Sequence, residues 1–228
     1  MATSQHIEPL RELFSRSKWL TLDFSKIPVD APPEENIRTF FEQTEANGHN
    51  PRSAAQRQVF NDALLAKSGA RYLVSRYGED RSAMLADSSI ADEQRTLHLG
   101  VDVFCRDTEP VYSPCDGEIV MAGNEPEDHS FGYYVVIKPS DATYFIFLGH
   151  LSAKPIKHGY VRRGQQIAQL GDHTNGENGG WSRHLHIQLF SRLPDPKDLI
   201  GYATPDNFQQ AEQDYPNPMS IFPDWRPD

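Results

Sequence analysis

Basic residues are in short supply in this chain. Against 32 aspartates and glutamates stand 22 lysines and arginines, a formal net charge of −10. A protein that grips nucleic acid must neutralise phosphates with lysine and arginine, so the balance argues against a general nucleic-acid binder. The surplus acid reads first as a device for solubility. Long apolar runs are missing too. No stretch of about 18 apolar residues is present to cross a membrane. The opening MATSQHIEPLRELFSRSKWL lacks the basic start and apolar run of a secretory leader. The expectation is a cytoplasmic protein, with export by an unseen leader as the alternative. Cysteine is scarce: Cys105 and Cys115 flank the turn DTEPVYSP. In a cytoplasmic chain they are expected as two buried thiols, the alternative being a disulfide if they face each other across a hairpin, and without the close pairing of a zinc ribbon they are not counted as metal ligands. There is no internal repeat.

What is present suffices for a core: 38 % of 228 residues are hydrophobic and 11 % aromatic. Residues 1–90 read as a mainly helical extension. Ile7, Leu10, Leu13 and Phe14 recur at helical spacing behind a candidate cap at Ser4. A proline-rich link, Ile27 to Pro33, leads to a second helix over Glu34–Asn47 with Ile37, Phe40 and Phe41 on one face. A third spans Ser53–Lys67, with Val59, Phe60, Ala63 and Leu64 as its stripe and Ser68-Gly69 as its end. From Leu97 the pattern changes to short β-rich runs: HLGVDVF, GEIVMAG, YYVVIKP, YFIFLGH, QQIAQLG and HLHIQLF. Glycine, proline, aspartate and asparagine punctuate them. The fold class is therefore mainly β, an antiparallel sheet or barrel-like sandwich over residues 91–192. A proline-rich tail, 193–228, is expected to pack on that core.

Three of these runs carry histidine: HLGVD (His98 to Asp102), GHLS with His150, and RHLHIQLF with His184 and His186. Alternate residues of a strand share a face, so His184 and His186 project side by side about 7 Å apart. In a straight strand His98 and Asp102 would lie about 13 Å apart, too far to share one ion. Gly100 between them permits a bend, which puts His98 at the end of a loop and Asp102 in the strand that follows. Two imidazoles and a carboxylate are enough to hold zinc with one position left for water. The other five histidines, His6, His49, His129, His158 and His173, lie in polar or loop contexts and read as solvated. His173 is the least secure of them, because its loop leads to the last patch.

The ordered set His-x-x-x-Asp, His-Leu-Ser and His-Leu-His resembles the lysostaphin-like (LytM-type) zinc metalloendopeptidases. Supporting pieces are LHLGVDVF, TEPVYSPCDGEIV, FGYYVVIKP, VRRGQQIAQLG and GGWSRHLHIQLF, from about Arg95 to Phe190. The resemblance implies a compact antiparallel core with a groove holding one zinc, where a peptide or a peptidoglycan fragment is hydrolysed. It implies His98, Asp102 and His186 as metal ligands and His150 and His184 as the catalytic pair. Of that pair His184 is the base and His150 the oxyanion partner or acid, with the two roles interchangeable on sequence alone. The chain departs from the family's aromatic-Gly-Asn pattern at Phe131-Gly132-Tyr133, and Trp181 and Arg183 stand where small residues or proline are common. YGEDR (Tyr77 to Arg81), RTLHLGVDVF and NGGWSRHLHIQL are similar to leaderless domains in cytoplasmic aminotransferase fusions. A regulatory peptide-binding module that keeps its zinc is the alternative to an enzyme, and a hydrolase of small amides is a third reading. Retention of all three ligands and both catalytic histidines favours the enzyme. The helical extension is expected to pack against the sheet, the alternative being that it covers the groove.

Overall fold

In the computed structural model the described residues are 19–22, 37–86, 88–153 and 158–221. An eight-stranded sheet organises them, in the order β1 (Trp19–Leu22), β2 (Tyr72–Ser75), β4 (Val101–Phe104), β11 (His184–Phe190), β8 (Phe145–Leu151), β7 (Gly132–Pro139), β6 (Gly117–Glu125) and β9 (Gly159–Val161). Every neighbouring pair is antiparallel except β1 with β2. Two small two-stranded ladders complete the β structure. One joins β5 (Pro110–Tyr112) to β10 (Gln166–Gln169), the other β3 (Leu97–His98) to β12 (Tyr202–Ala203). The mainly β, antiparallel architecture expected from the alternating runs is what forms.

The strands form because their apolar residues have somewhere to go. β11 is buried along its whole length, so its odd positions, Leu185, Ile187 and Leu189, enter a core with Val103, Val135, Ile137 and Leu148. Its even positions, His184, His186 and Gln188, face the other way and are buried as well. Polar side chains buried at such a density require partners, and these define the site below. Cys105 and Cys115 are both free and sit in the same core, as expected of reduced thiols.

The first helix expected, behind Ser4, and the link 27–33 lie outside the described residues. The second is α1 (Ile37–Ala46) and the third α2 (Ala54–Ser68). Ser53 caps α2 by accepting from Gln56 N at 3.3 Å, and Gly69 ends it in the left-handed conformation at φ 64°. The buried stripe of α2 differs from the expected one. Phe60 and Leu64 face inward as expected, together with Arg57, Gln58, Asn61 and Leu65, whereas Val59, 59 % exposed, and Ala63 face outward. Three of the six inward residues are polar because they meet Trp181, Ser182 and Arg183 ahead of β11, while Phe60, Leu64 and Leu65 pack in an apolar cluster with Leu73 and Phe104. Gln58 accepts from Arg183 N at 2.7 Å and donates to Cys105 O at 3.1 Å, while Asn61 donates to Ser182 Oγ at 3.4 Å. Helices also account for only part of residues 1–90. The run YLVS forms β2 and pairs with β4 at Leu73↔Phe104 and Val74↔Val103, widening the sheet on the side of Asp102. Being buried on both faces, it shows no alternation to betray it.

Candidate metal centre

The sheet register assembles the site. His186 on β11 lies opposite Asp102 on β4 and opposite Gly149 on β8, so these three share one face. His98, on the short strand before β4, comes over the same face through the turn at Leu99-Gly100. Gly100 is needed there, though not for a special backbone angle. A Cβ at that position would stand 2.3 Å from His186 Cε1 and 2.9 Å from Ile187 O, so the strand approaches the imidazole too closely for any side chain.

His150 follows Gly149, and in a regular strand it would point to the opposite face. Two features turn it back. The β7–β8 register slips between Tyr133↔Leu151 and Val135↔Leu148, which puts one extra residue in β8. His150 itself is left-handed at φ 61°, an unfavourable state for a residue with a Cβ. The conformation is held by His150 N donating to Phe131 O at 2.8 Å and Gly171 N donating to His150 O at 2.9 Å. The His150 and His184 rings end 4.2 Å apart between centroids.

Each of the four imidazoles is tied outward through one nitrogen, which fixes the other. Gln188 Nε2 donates to Ile200 O at 3.0 Å, leaving Gln188 Oε1 to accept from His186 Nε2 at 2.8 Å. His184 Nδ1 donates to Ser182 O at 2.7 Å, His150 Nδ1 to Asn178 O at 2.9 Å, and His98 Nδ1 to Arg76 O at 3.4 Å. With those protons placed, His98 Nε2 and His186 Nδ1 turn bare lone pairs toward each other at 3.2 Å. Asp102 Oδ1 stands 2.8 Å from His186 Nδ1 and 3.5 Å from His98 Nε2. Three electron-rich atoms with no proton between them repel unless a cation sits among them. Ligands about 2.0–2.1 Å from a tetrahedral zinc lie about 3.3 Å from one another, close to the spacing found here. The donor set and its spacing therefore fit a divalent metal ion.

The other carboxylate oxygen, Asp102 Oδ2, accepts from Arg81 Nη1 at 2.6 Å, and Arg81 Nε donates to Glu79 Oε1 at 2.7 Å. The Arg81 side chain is 2 % exposed, and its nearness to two carboxylates keeps it charged despite burial. Burial opposes ionisation of Asp102, but the Arg81 guanidinium bonded to it outweighs that and holds its pKa well below the usual carboxylate value. Burial also pushes down His98, seconded by Arg81, and His150, seconded by His184. His184 falls to about 4, chiefly through burial. At neutral pH these three rings are uncharged, the form that binds metal or accepts a proton. Burial raises Glu79 to about 7.

The centre adjoins a cavity of about 590 Å³, its open mouth included, lined by Asp102, Phe131, His150, Trp181, His184 and His186. All five expected site residues meet there, each no more than 4 % exposed. Of the histidines read as solvated, His49 and His158 are exposed, His6 lies outside the described residues, and His173 stands 3.2 Å from Asp172. His129 departs from that reading: it lines the cavity, left-handed at φ 65°, with its ring centroid 5.1 Å from that of Trp181 in a T-shaped contact. Arg81 and Glu79 were also missed. They belong to YGEDR, noticed for its resemblance alone, and nothing in its spacing announces a buried ion-pair network.

The fold and site thus define a metal-competent His/Asp/His centre, flanked by two further histidines, on an antiparallel sheet. Residues 96–196 match the model of peptidase family M23. Among solved structures, the chain is similar to the catalytic domain of the antimicrobial peptidase lysostaphin from Staphylococcus simulans. The two are 27 % identical over 50 % of this chain and 80 % of that one, with a TM-score of 0.38. A mutant catalytic domain of the prophage-encoded M23 protein EnpA from Enterococcus faecalis is 22 % identical over 48 % and 77 %, TM-score 0.38. Csd3 from Helicobacter pylori is 22 % identical over 52 % and 33 %, TM-score 0.34. No curated protein matches the sequence.

Proposed function

We propose that this chain is a zinc-dependent metallopeptidase that hydrolyses a peptide bond, in a peptide or a peptidoglycan fragment. The observation that carries the reading is the set of three bare donor atoms on His98, Asp102 and His186, turned inward by outward-tied tautomers and separated by 2.8–3.5 Å. The match of residues 96–196 to a peptidase family supports it.

In this reading His98 Nε2, Asp102 Oδ1 and His186 Nδ1 are the ligands, and Gln188, Arg76 and Arg81 orient them from behind. A bound zinc supplies a water acidified toward a pKa of about 7 and polarises the scissile carbonyl. His184 Nε2, held 3.7 Å from Asp102 Oδ1, accepts the proton from the attacking water. His150 Nε2, fixed by the bond from Nδ1 to Asn178 O, faces the same space and serves the oxyanion or the leaving amine. Neutral rings at both positions suit these roles, since a base must be free to take a proton. The likeness of YGEDR and its neighbouring phrases to domains in cytoplasmic aminotransferase fusions is the ground for proposing a cytoplasmic setting.

The test is metal content and hydrolysis measured together. Purified protein is expected to carry one zinc per chain and to cleave members of a peptide and peptidoglycan-fragment panel, with both properties lost in Asp102→Ala. Zinc-saturated protein that cleaves nothing in the panel would leave a zinc-holding binding module in place of an enzyme.

A further inference from the structure

Beside the metal centre is a second buried charge that the mechanism does not use. Arg57 projects from α2, is 7 % exposed, and lies with its guanidinium carbon 4.6 Å from the centre of the Trp181 ring. Its Nε and Nη2 are buried without a hydrogen-bond partner. The contact with Trp181 offsets only part of the cost of taking a cation from water. Desolvation lowers its pKa to about 10. Neither Gln58 nor Asn61 shares its condition, since both are bonded to the segment ahead of β11.

The surroundings point to what is missing. Arg57 lines a pocket with Phe40, Phe41, Phe60, Trp181 and His184. Trp181 and His184 also line the cavity over the metal centre, so the two spaces share a wall. The charge of Arg57 reaches that cavity: burial lowers the pKa of His129 there, and Arg57 adds to the effect. Nε and Nη2 form one edge of the guanidinium fork, whose two parallel N–H groups match the two oxygens of a carboxylate. Apolar walls around a single unpaired cation favour a small, singly charged anion over a multiply charged one.

We propose that Arg57, backed by Trp181, is a carboxylate-binding site adjoining the metal centre, which receives either a carboxylate of the substrate or a free small carboxylate. The first source deepens the metallopeptidase reading and rests on it, because it selects substrates with a carboxylate near the scissile bond. Binding itself does not depend on that reading.

Two arms test the site. In the first, acetate is titrated into the full chain, with and without zinc, while the indole N–H resonance of Trp181 is followed by NMR. A saturable shift is expected in both states, abolished in Arg57→Gln and weakened about tenfold in Arg57→Lys, which keeps the charge but not the fork. Should Arg57→Gln not fold, as judged by its far-ultraviolet spectrum, the lysine variant against wild type decides. No saturable shift in wild type, or an equal one in the variants, overturns the proposal. In the second arm, cleaved peptides are compared as free acids and as amides. A KM about tenfold lower for the acid, lost in Arg57→Gln, assigns the site to the substrate. Equal KM values, with the acetate shift present, assign it to a free carboxylate. Absence of any cleavage bears on the metallopeptidase reading alone, and the acetate titration still decides whether the site exists.

Discussion

Two buried arginines line one pocket beside the histidine cluster and differ in their partners. Arg81 lies between Asp102 and Glu79, bonded to both at 2.6 and 2.7 Å. Arg57 lies against Trp181, with two of its nitrogens unpartnered. A charge taken from water costs several kcal/mol, and its local partners tell what it is for. Arg81 is compensated by two carboxylates, and it holds one oxygen of Asp102 so that the other meets the histidines. The Arg57 side is incomplete, and so is the space among His98, Asp102 and His186, where three donor atoms meet with no proton to share. We propose an anion for the first and a cation for the second.

The strongest way to break the contrast is to remove the carboxylate at its centre. Asp102→Ala is expected to lower zinc affinity by more than about 100-fold and to abolish hydrolysis, read by metal titration and peptide turnover. It also strands Arg81, so the variant is expected to be less stable than wild type. Next comes Arg81→Leu, which leaves Asp102 and Glu79 buried without their cation. A loss of about 3–5 kcal/mol in chemical denaturation is expected, and adding Glu79→Leu should restore part of it. If Arg81→Leu costs no more than a surface substitution, the ion-pair network is not what holds Asp102.

The metal-free protein should lose stability in acid through its neutral histidines. His184 titrates at about 4 when folded and near 6.5 when unfolded. Between those values the unfolded chain holds the extra proton, so stability falls as pH drops from about 6.5 to about 4, then levels. The part due to His184 is about 3 kcal/mol, with His98 and His150 adding in the same direction. Denaturation of metal-free protein across that range, wild type against His184→Gln, measures it. The smallest effect is expected on the uncompensated side. Arg57→Met removes an unpaired buried charge and keeps the length of the side chain. Its stability should equal or exceed that of wild type by about 1 kcal/mol, the opposite sign from Arg81→Leu. Matching losses in the two variants would erase the distinction between the arginines.

Much of the centre was legible in the sequence because strand geometry is periodic. The spacing of His184 and His186 fixes a shared face, and Gly100 marked where the chain between His98 and Asp102 had to bend. The reason for Gly100 was less legible: the His186 ring that would strike its Cβ is 86 positions away in the chain. His150 was found through resemblance, since its face depends on a bulge and a left-handed residue that no local pattern encodes. Arg81, Glu79 and Arg57 were invisible as functional groups, for a charged residue reads as solvated until its surroundings are known. The inward face of α2 was legible only in part, at Phe60 and Leu64. Its stripe was sought among apolar residues alone, whereas the segment ahead of β11 also takes Arg57, Gln58 and Asn61.

The most direct test of the central claim is X-ray absorption at the zinc edge on zinc-loaded protein, set beside anomalous diffraction from the same preparation. The account requires one ion per chain, bound by two imidazole nitrogens and a carboxylate oxygen at about 2.0–2.2 Å, with anomalous density between His98, Asp102 and His186. An ion bound elsewhere, or none in that position under saturating zinc, would contradict it.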